Sequence, residues 1–328
     1  MFETDMLILG FDSLDSVKCV ELGTCFDGLD VRGVNTVSGC NTQSAWPSIY
    51  TGLDPADHGV TPRPRETVKP WDQSPIYLTF FEKLKLAGYR NVVVGMPVTY
   101  TPSLPGFGDF CMAGFPLPQP SVRTVSSEFY PTWLSAEFGD EYRPYLWSER
   151  DDWCKDDVTR AALQGSIRDE FGKVDIVCRL LDRFRPGTAD LVSIGVQFGD
   201  ICGHCKLHYP LRDTYDRLCE LLDLIRSRIE YNRLLIVSDH GVPIRDWRGI
   251  PFPGEPVTQY PHRSDTAALI SDPGFRSGAD ITSIKDVYGI VLDHFGVPRD
   301  LVPRGTRDLS TLSEEVSIRK RLSDLGYL

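Results

Sequence analysis

The chain has 328 residues, a formal net charge of −11 and 41% hydrophobic residues. That length suits one large α/β domain, or a core with a smaller insertion, and it can bury a sizeable apolar interior. The acidic balance excludes a generic DNA- or RNA-coating function, which needs a basic surface to displace counterions, but it admits a phosphate substrate if bound cations supply positive charge locally.

No run of about eighteen apolar residues occurs, so no membrane-spanning helix is predicted. The opening MFETDMLILGFD carries acids where a secretion signal carries basic residues, and the expectation is a cytoplasmic protein. Nine cysteines are scattered without a framework of regular spacings, which predicts reduced, mostly buried thiols.

In chain order, five short apolar, β-branched runs end at a polar residue: 6–12 (MLILGFD), 91–97 (NVVVGMP), 190–200 (DLVSIGVQFGD), 233–241 (RLLIVSDHG) and 266–271 (TAALIS). Continuous runs of this kind predict strands buried on both faces, as in a mainly parallel sheet. Amphipathic segments at 74–89, 157–171, 175–184 and 212–229 predict helices between them. The alternation predicts a doubly wound α/β sheet, in which ligands collect at the carboxyl ends of the strands. Asp12, Asp200, Asp239 and His240 fall there. The segment 101–153, rich in Pro, Gly and aromatics, has no clear period and reads as a cap or insertion within a single domain spanning 1–328. The closing TLSEEVSIRKRLSDLGYL has the pattern of a capped helix docked on the core.

Six histidines are few, so their neighbours are informative. His204 follows Asp200 by four residues, His240 directly follows Asp239, and His262 stands in YPHRSD. With Asp12 they make three carboxylates and three imidazoles, a ligand set suited to two divalent ions, Zn²⁺ first and Mn²⁺ as the alternative. In CNTQSAWPSIYTGLDPADHGV, Thr42 precedes a helix-compatible run. A hydroxyl in that place is either a helix cap or a nucleophile beside the positive end of the helix dipole. Three Asp/His clusters at strand ends together with this threonine are jointly explained by a two-metal centre that clamps an in-line displacement at phosphorus.

In this ordered set the chain resembles the alkaline phosphatase superfamily, and within it the type I phosphodiesterase and nucleotide pyrophosphatase branch of prokaryotic and archaeal type. LILGFDSLD resembles the first strand with its metal aspartate, and NTQSAWPSIYTGLDPADHGV the nucleophile helix. FGDICGH is similar to the family's Asp-x-x-x-His, VSDHG to its Ser-Asp-His-Gly and HRSD to its late histidine, while GMPVTYTP with GFPLP resembles the capping segment of prokaryotic members. The resemblance implies an α/β/α sandwich and a metal-dependent phosphodiesterase. It implies one ion held by Asp200, His204 and His262, a second held by Asp12, Asp239, His240 and the Thr42 hydroxyl, and attack by Thr42 through a phosphothreonine intermediate. The implied substrate is a small phosphate ester, a nucleotide among the candidates.

Two departures bear on specificity. Ser44 stands where eukaryotic members commonly have proline, with Pro47 displaced, and a phosphate-contacting asparagine of those enzymes falls near Arg63. Arg63 or the neighbouring Arg65 would bind phosphoryl oxygens if turned inward, and Asn41 could donate to the same oxygens or serve only as a turn residue. His58 reads as a turn residue, His208 as an outer residue, and the Cys202–Cys205 spacing as buried spectator thiols. Trp46, Trp133, Trp147, Tyr100 and Phe115 would either line a leaving-group pocket or pack in the core. Exposed aromatics on the cap could serve as a homodimer contact.

The rival activities share the metal constellation: phosphomonoesterase, phosphonoacetate-type hydrolase, sulfatase-like enzyme or phosphomutase. A sulfatase matures Cys or Ser within C/S-x-P-x-R, and no such motif occurs. A phosphomutase of this kind carries a large second domain and a serine nucleophile, neither of which is apparent. The non-enzymatic alternative is a metal or nucleotide sensor on the same fold.

Overall fold

Strand β1 (Phe2–Phe11) has no polar alternation because both of its faces are covered: its last six residues are all buried. Leu7, Leu9 and Phe11 enter one apolar cluster and Met6 and Ile8 the other, as the two-residue period of a strand requires. The computed structural model describes residues 2–22, 24–37, 41–60, 75–99, 107–114, 129–142, 156–183, 188–204, 210–244, 252–253, 262–273, 281–300 and 302–303.

After β1 come α1 (Ser16–Leu22), β2 (Asp30–Val34), α2 (Thr42–Thr51), α3 (Pro55–His58), α4 (Phe80–Leu86) and β3 (Asn91–Val94). They are followed by β4 (Phe110–Met112), β5 (Phe129–Tyr130), α5 (Leu134–Phe138), α6 (Asp156–Leu181), β6 (Thr188–Val196) and α7 (Phe198–His204). The last elements are α8 (Leu211–Arg228), β7 (Ile229–Ser238), β8 (Ala267–Ser271) and α9 (Asp286–His294).

Among the described residues the strands form one eight-stranded sheet in the order β2-β8-β7-β1-β6-β3-β4-β5. The central strands β7, β1, β6, β3 and β4 run parallel, while β8, β2 and β5 are antiparallel to their neighbours. Side chains of α1, α6 and α8 enter the cluster on one face, and those of α2, α4 and α9 the cluster on the other. The architecture is α/β/α, with a mixed, mostly parallel sheet as its middle layer.

The segments predicted at 157–171 and 175–184 are one continuous helix, α6. The 101–153 segment is described at 107–114 and 129–142, where β4 and β5 extend the edge of the sheet and α5 follows them. The C-terminal helix predicted at 311–328 lies outside the described residues, as does Cys205 of the Cys-x-x-Cys pair.

The thiol expectation needs one correction. Cys25 and Cys219 form a disulfide across 194 residues of sequence, because α8 packs on the short 3₁₀ turn at Thr24–Phe26. No spacing rule could reveal that pairing. Cys19, Cys111, Cys178 and Cys202 are free and buried, and burial pushes the Cys202 thiol up to about 12. Among the described residues no helix is long and apolar enough to cross a membrane.

Candidate metal centre

Parallel strands deliver their carboxyl ends to one edge of the sheet, and the polar residues that terminate the apolar runs meet there. Asp12 directly follows β1, with its amide donating to Val196 O of β6 at 2.8 Å. Asp200 and His204 lie one helical turn apart on α7, which leaves the end of β6. Asp239 and His240 directly follow β7. His262 arrives from the other direction: β8 is antiparallel to β7, so the chain entering β8 starts at the carboxyl end of β7, and His262 forms an antiparallel bridge with Pro243.

The six side chains form two buried trios, Asp200–His204–His262 and Asp12–Asp239–His240, and within each the candidate ligand atoms all lie within 4.8 Å of one another. In the first, His262 Nε2 is 3.1 Å from both His204 Nε2 and Asp200 Oδ1, and His204 Nε2 is 3.3 Å from Asp200 Oδ1. In the second, His240 Nε2 is 3.2 Å from Asp239 Oδ2 and 3.5 Å from Asp12 Oδ1. The His240 and His262 rings stack with centroids 3.7 Å apart, which makes the trios neighbours.

These separations match a shared cation. Four ligands on a tetrahedral ion at about 2.1 Å stand roughly 3.4 Å apart. Direct hydrogen bonding accounts for the arrangement less well, because facing imidazole nitrogens share at most one proton and ionised carboxylates only accept. Asp239 Oδ2 is buried and receives no hydrogen bond. Burial, then the charge of Asp200, holds the Asp239 carboxyl well above its usual range. Burial, then His262, holds His240 well below the ordinary imidazole value. A cation between these groups reverses both penalties at once, so the residues present fit a pair of divalent ions.

Thr42 opens α2 and joins the second trio, with its Oγ1 3.3 Å from Asp12 Oδ1 and 3.5 Å from His240 Nε2. The helix is well delimited. Asn41 is its N-cap, with its side chain accepting from Ser44 N at 3.1 Å, and Gly52 ends it at φ 73°, a left-handed conformation that glycine adopts without strain. All ten residues are buried, Pro47 included. Thr42 is therefore held rigidly.

Several residues that orient the ligands were not singled out from sequence. His240 Nδ1 donates to Gly241 O at 3.1 Å, a bond that leaves Nε2 unprotonated and free to coordinate. Ser13, at φ 70°, turns its amide onto Asp239 Oδ1 at 3.3 Å and its hydroxyl onto Gly241 O at 3.1 Å. Ser238 Oγ accepts from Leu14 N at 2.7 Å and donates to His240 O at 2.8 Å. Adjacency to Asp12 and to the Asp-His pair was the only signal that could have found Ser13 and Ser238.

Arg63, Arg65 and His208 lie outside the described residues, as do Tyr100, Phe115 and Trp147. Trp46 is fully buried, and Trp133 is part-exposed at the sheet edge with Arg183 over its ring. His58 is buried and bonded to Ser48 Oγ at 2.9 Å.

No family model matches the sequence, and no curated protein matches it. Solved structures do resemble it in fold. An alkaline phosphatase from the Antarctic bacterium TAB5 superposes with a TM-score of 0.50 at 11% identity, covering 88% of this chain and 97% of its own. A sulfatase-like protein from Bacteroides thetaiotaomicron gives a TM-score of 0.51 at 12% identity, covering 95% of this chain and 75% of its own. With the sheet order and helix layers described above, these likenesses show an alkaline-phosphatase-like α/β/α fold.

Proposed function

We propose that the centre is a two-metal hydrolase site acting on phosphoric esters, with Thr42 as nucleophile and a phosphodiester, nucleotides among them, as substrate. The observation that carries this reading is the hydroxyl of Thr42 inside the Asp12–Asp239–His240 trio, at the N-terminus of a buried helix. One ion would be held by Asp200, His204 and His262, and the other by Asp12, Asp239, His240 and Thr42. Zn²⁺ suits the mixed carboxylate–imidazole set, with Mn²⁺ as the alternative. Such ions lower the pKa of a ligated hydroxyl and offset charge on attacking and leaving oxygens.

The chain's own residues supply the rest. Thr42 Oγ attacks phosphorus, the bond from phosphorus to the leaving alkoxide breaks, and a phosphothreonine forms. Water then attacks that phosphorus, restoring the threonine hydroxyl and releasing the phosphate monoester. The amides of Thr42 and Gln43 have no intrahelical acceptor, which leaves them available to phosphoryl oxygens. Asn41 uses its side-chain oxygen as a cap, so its amide nitrogen is the part suited to a substrate oxygen. The sulfatase alternative lacks the Cys or Ser that formylglycine requires, since Thr42 occupies the nucleophile position.

The test is hydrolysis of paired nitrophenyl esters by chelated and by zinc- or manganese-reloaded protein. The expected result is metal-dependent turnover of the phosphodiester in preference to the phosphomonoester and the sulfate. Faster turnover of the monoester would replace the diesterase assignment, and binding of two ions without turnover of any ester would favour a sensor.

A further inference from the structure

An ion pair lies buried behind the metal centre. Glu170 and Lys173, one turn apart on α6, are 0% and 3% exposed. Lys173 Nζ is 2.6 Å from Glu170 Oε2. Each side chain also grips the backbone at the end of β6: Lys173 Nζ donates to Gly195 O at 2.8 Å, and Glu170 Oε1 accepts from Gln197 N at 3.1 Å.

Strand geometry explains why these two groups need partners. The ladder between β3 and β6 ends at Val94↔Ile194, and at Gly95, φ 69°, the chain leaves the ladder and passes over Gly195, where a Cβ would lie 2.0 Å from Gly95 O. On the opposite side of β6 the ladder continues, with Asp12 N bonding Val196 O at 2.8 Å. In a strand, residues two apart direct their backbone groups to the same side. Gly195 O and Gln197 N therefore face the place β3 has vacated, and the lysine and glutamate stand in for the missing strand. Gly95 leaves room for this, since a Cβ there would lie 2.9 Å from Lys173 Nζ.

Packing alone does not account for the pair. Apolar side chains of similar volume fill a core at least as well as a buried ion pair, but they cannot hold a carbonyl and an amide two residues apart. The clamped tripeptide carries Asp12 through the Val196 carbonyl and leads directly into α7 with Asp200 and His204. Resting on the metal-centre reading above, we infer that Glu170 and Lys173 are positioning residues that set the spacing between the two metal trios.

The test compares wild type, Lys173→Met and the double variant Glu170→Leu/Lys173→Met, all well below their melting temperatures. Three quantities are read: zinc affinity by chelator competition, the visible spectrum of the cobalt(II) form, and hydrogen exchange across 193–204. The expected result is zinc binding weakened about 10- to 100-fold, an altered cobalt spectrum, and faster exchange confined to 195–204. These changes should persist in the double variant even where its melting temperature recovers. A double variant with wild-type affinity, spectrum and exchange overturns the proposal and leaves the pair a packing feature. If wild-type protein binds no zinc, the metal-centre reading falls, and exchange alone decides whether the clamp exists: faster exchange at 195–204 supports it, and unchanged exchange overturns it.

Discussion

Thr42 Oγ1 stands 3.3 Å from Asp12 Oδ1 although 30 residues separate them in sequence. The contact brings the first residue of a buried helix onto the carboxylate that follows the central strand, and it makes the hydroxyl a neighbour of the Asp12–Asp239–His240 trio rather than a helix cap, a role taken by Asn41. Thr42→Ala should therefore fold normally and lose roughly 10³- to 10⁶-fold in kcat, the range seen when a nucleophile is removed. Thr42→Ser should retain measurable turnover. A variant Thr42→Ala with near wild-type kcat would remove the threonine from the chemistry.

The trios predict opposite effects on apo and loaded protein. Asp239→Asn takes a buried carboxylate away from the charge of Asp200, so the metal-free variant should melt at or above the wild-type temperature. The same change should lower the zinc stoichiometry from two to one and shrink the thermal shift on zinc addition. Calorimetric titration with thermal melts checks both, and an apo form that is strongly destabilised would mean that the bond from the Ser13 amide to the Asp239 carboxylate outweighs the cost of the buried charge.

Ser13 holds a left-handed backbone at φ 70° while bonding Asp239 and Gly241. Ser13→Gly loses the hydroxyl bond and gains conformational ease, so it should stay within about 1 kcal/mol of wild type. Ser13→Val should cost about 1–3 kcal/mol, because a β-branched residue resists that conformation. Denaturant melts of the pair check the sign and the order.

His58 supplies a pH dependence. Its Nδ1 accepts from Val60 N at 3.1 Å, so the proton sits on Nε2 and points to Ser48 Oγ, which donates to Ser44 O at 3.0 Å. Burial, the largest influence, lowers its pKa from 6.5 to about 4. Between those values the unfolded chain binds the proton and the folded one does not, so stability is complete above about pH 6.5 and declines as pH falls toward 4. The melting temperature of His58→Gln should fall less steeply than that of wild type across this window. Equal slopes would indicate that the imidazole is not held neutral.

Strands β1, β3, β6, β7 and β8 were legible because each lies in an apolar run that ends at a polar or turn residue, the pattern of a strand covered on both faces, whereas β2, β4 and β5 are short strands at the sheet edges that carry no such run. The same punctuation located Asp12, Asp200, Asp239 and His240, since what ends a parallel strand stands at the crevice. Chain order alone could not show that β8 runs antiparallel to β7 and so returns His262 to that crevice, nor that α8 brings Cys219 to Cys25. Nor could it show that Glu170 and Lys173, two charges within an amphipathic helix, face inward and replace a departed strand. Sequence periodicity reports which residues avoid water. Which buried polar groups meet one another depends on strand order and helix packing, and those are set only when the whole sheet assembles.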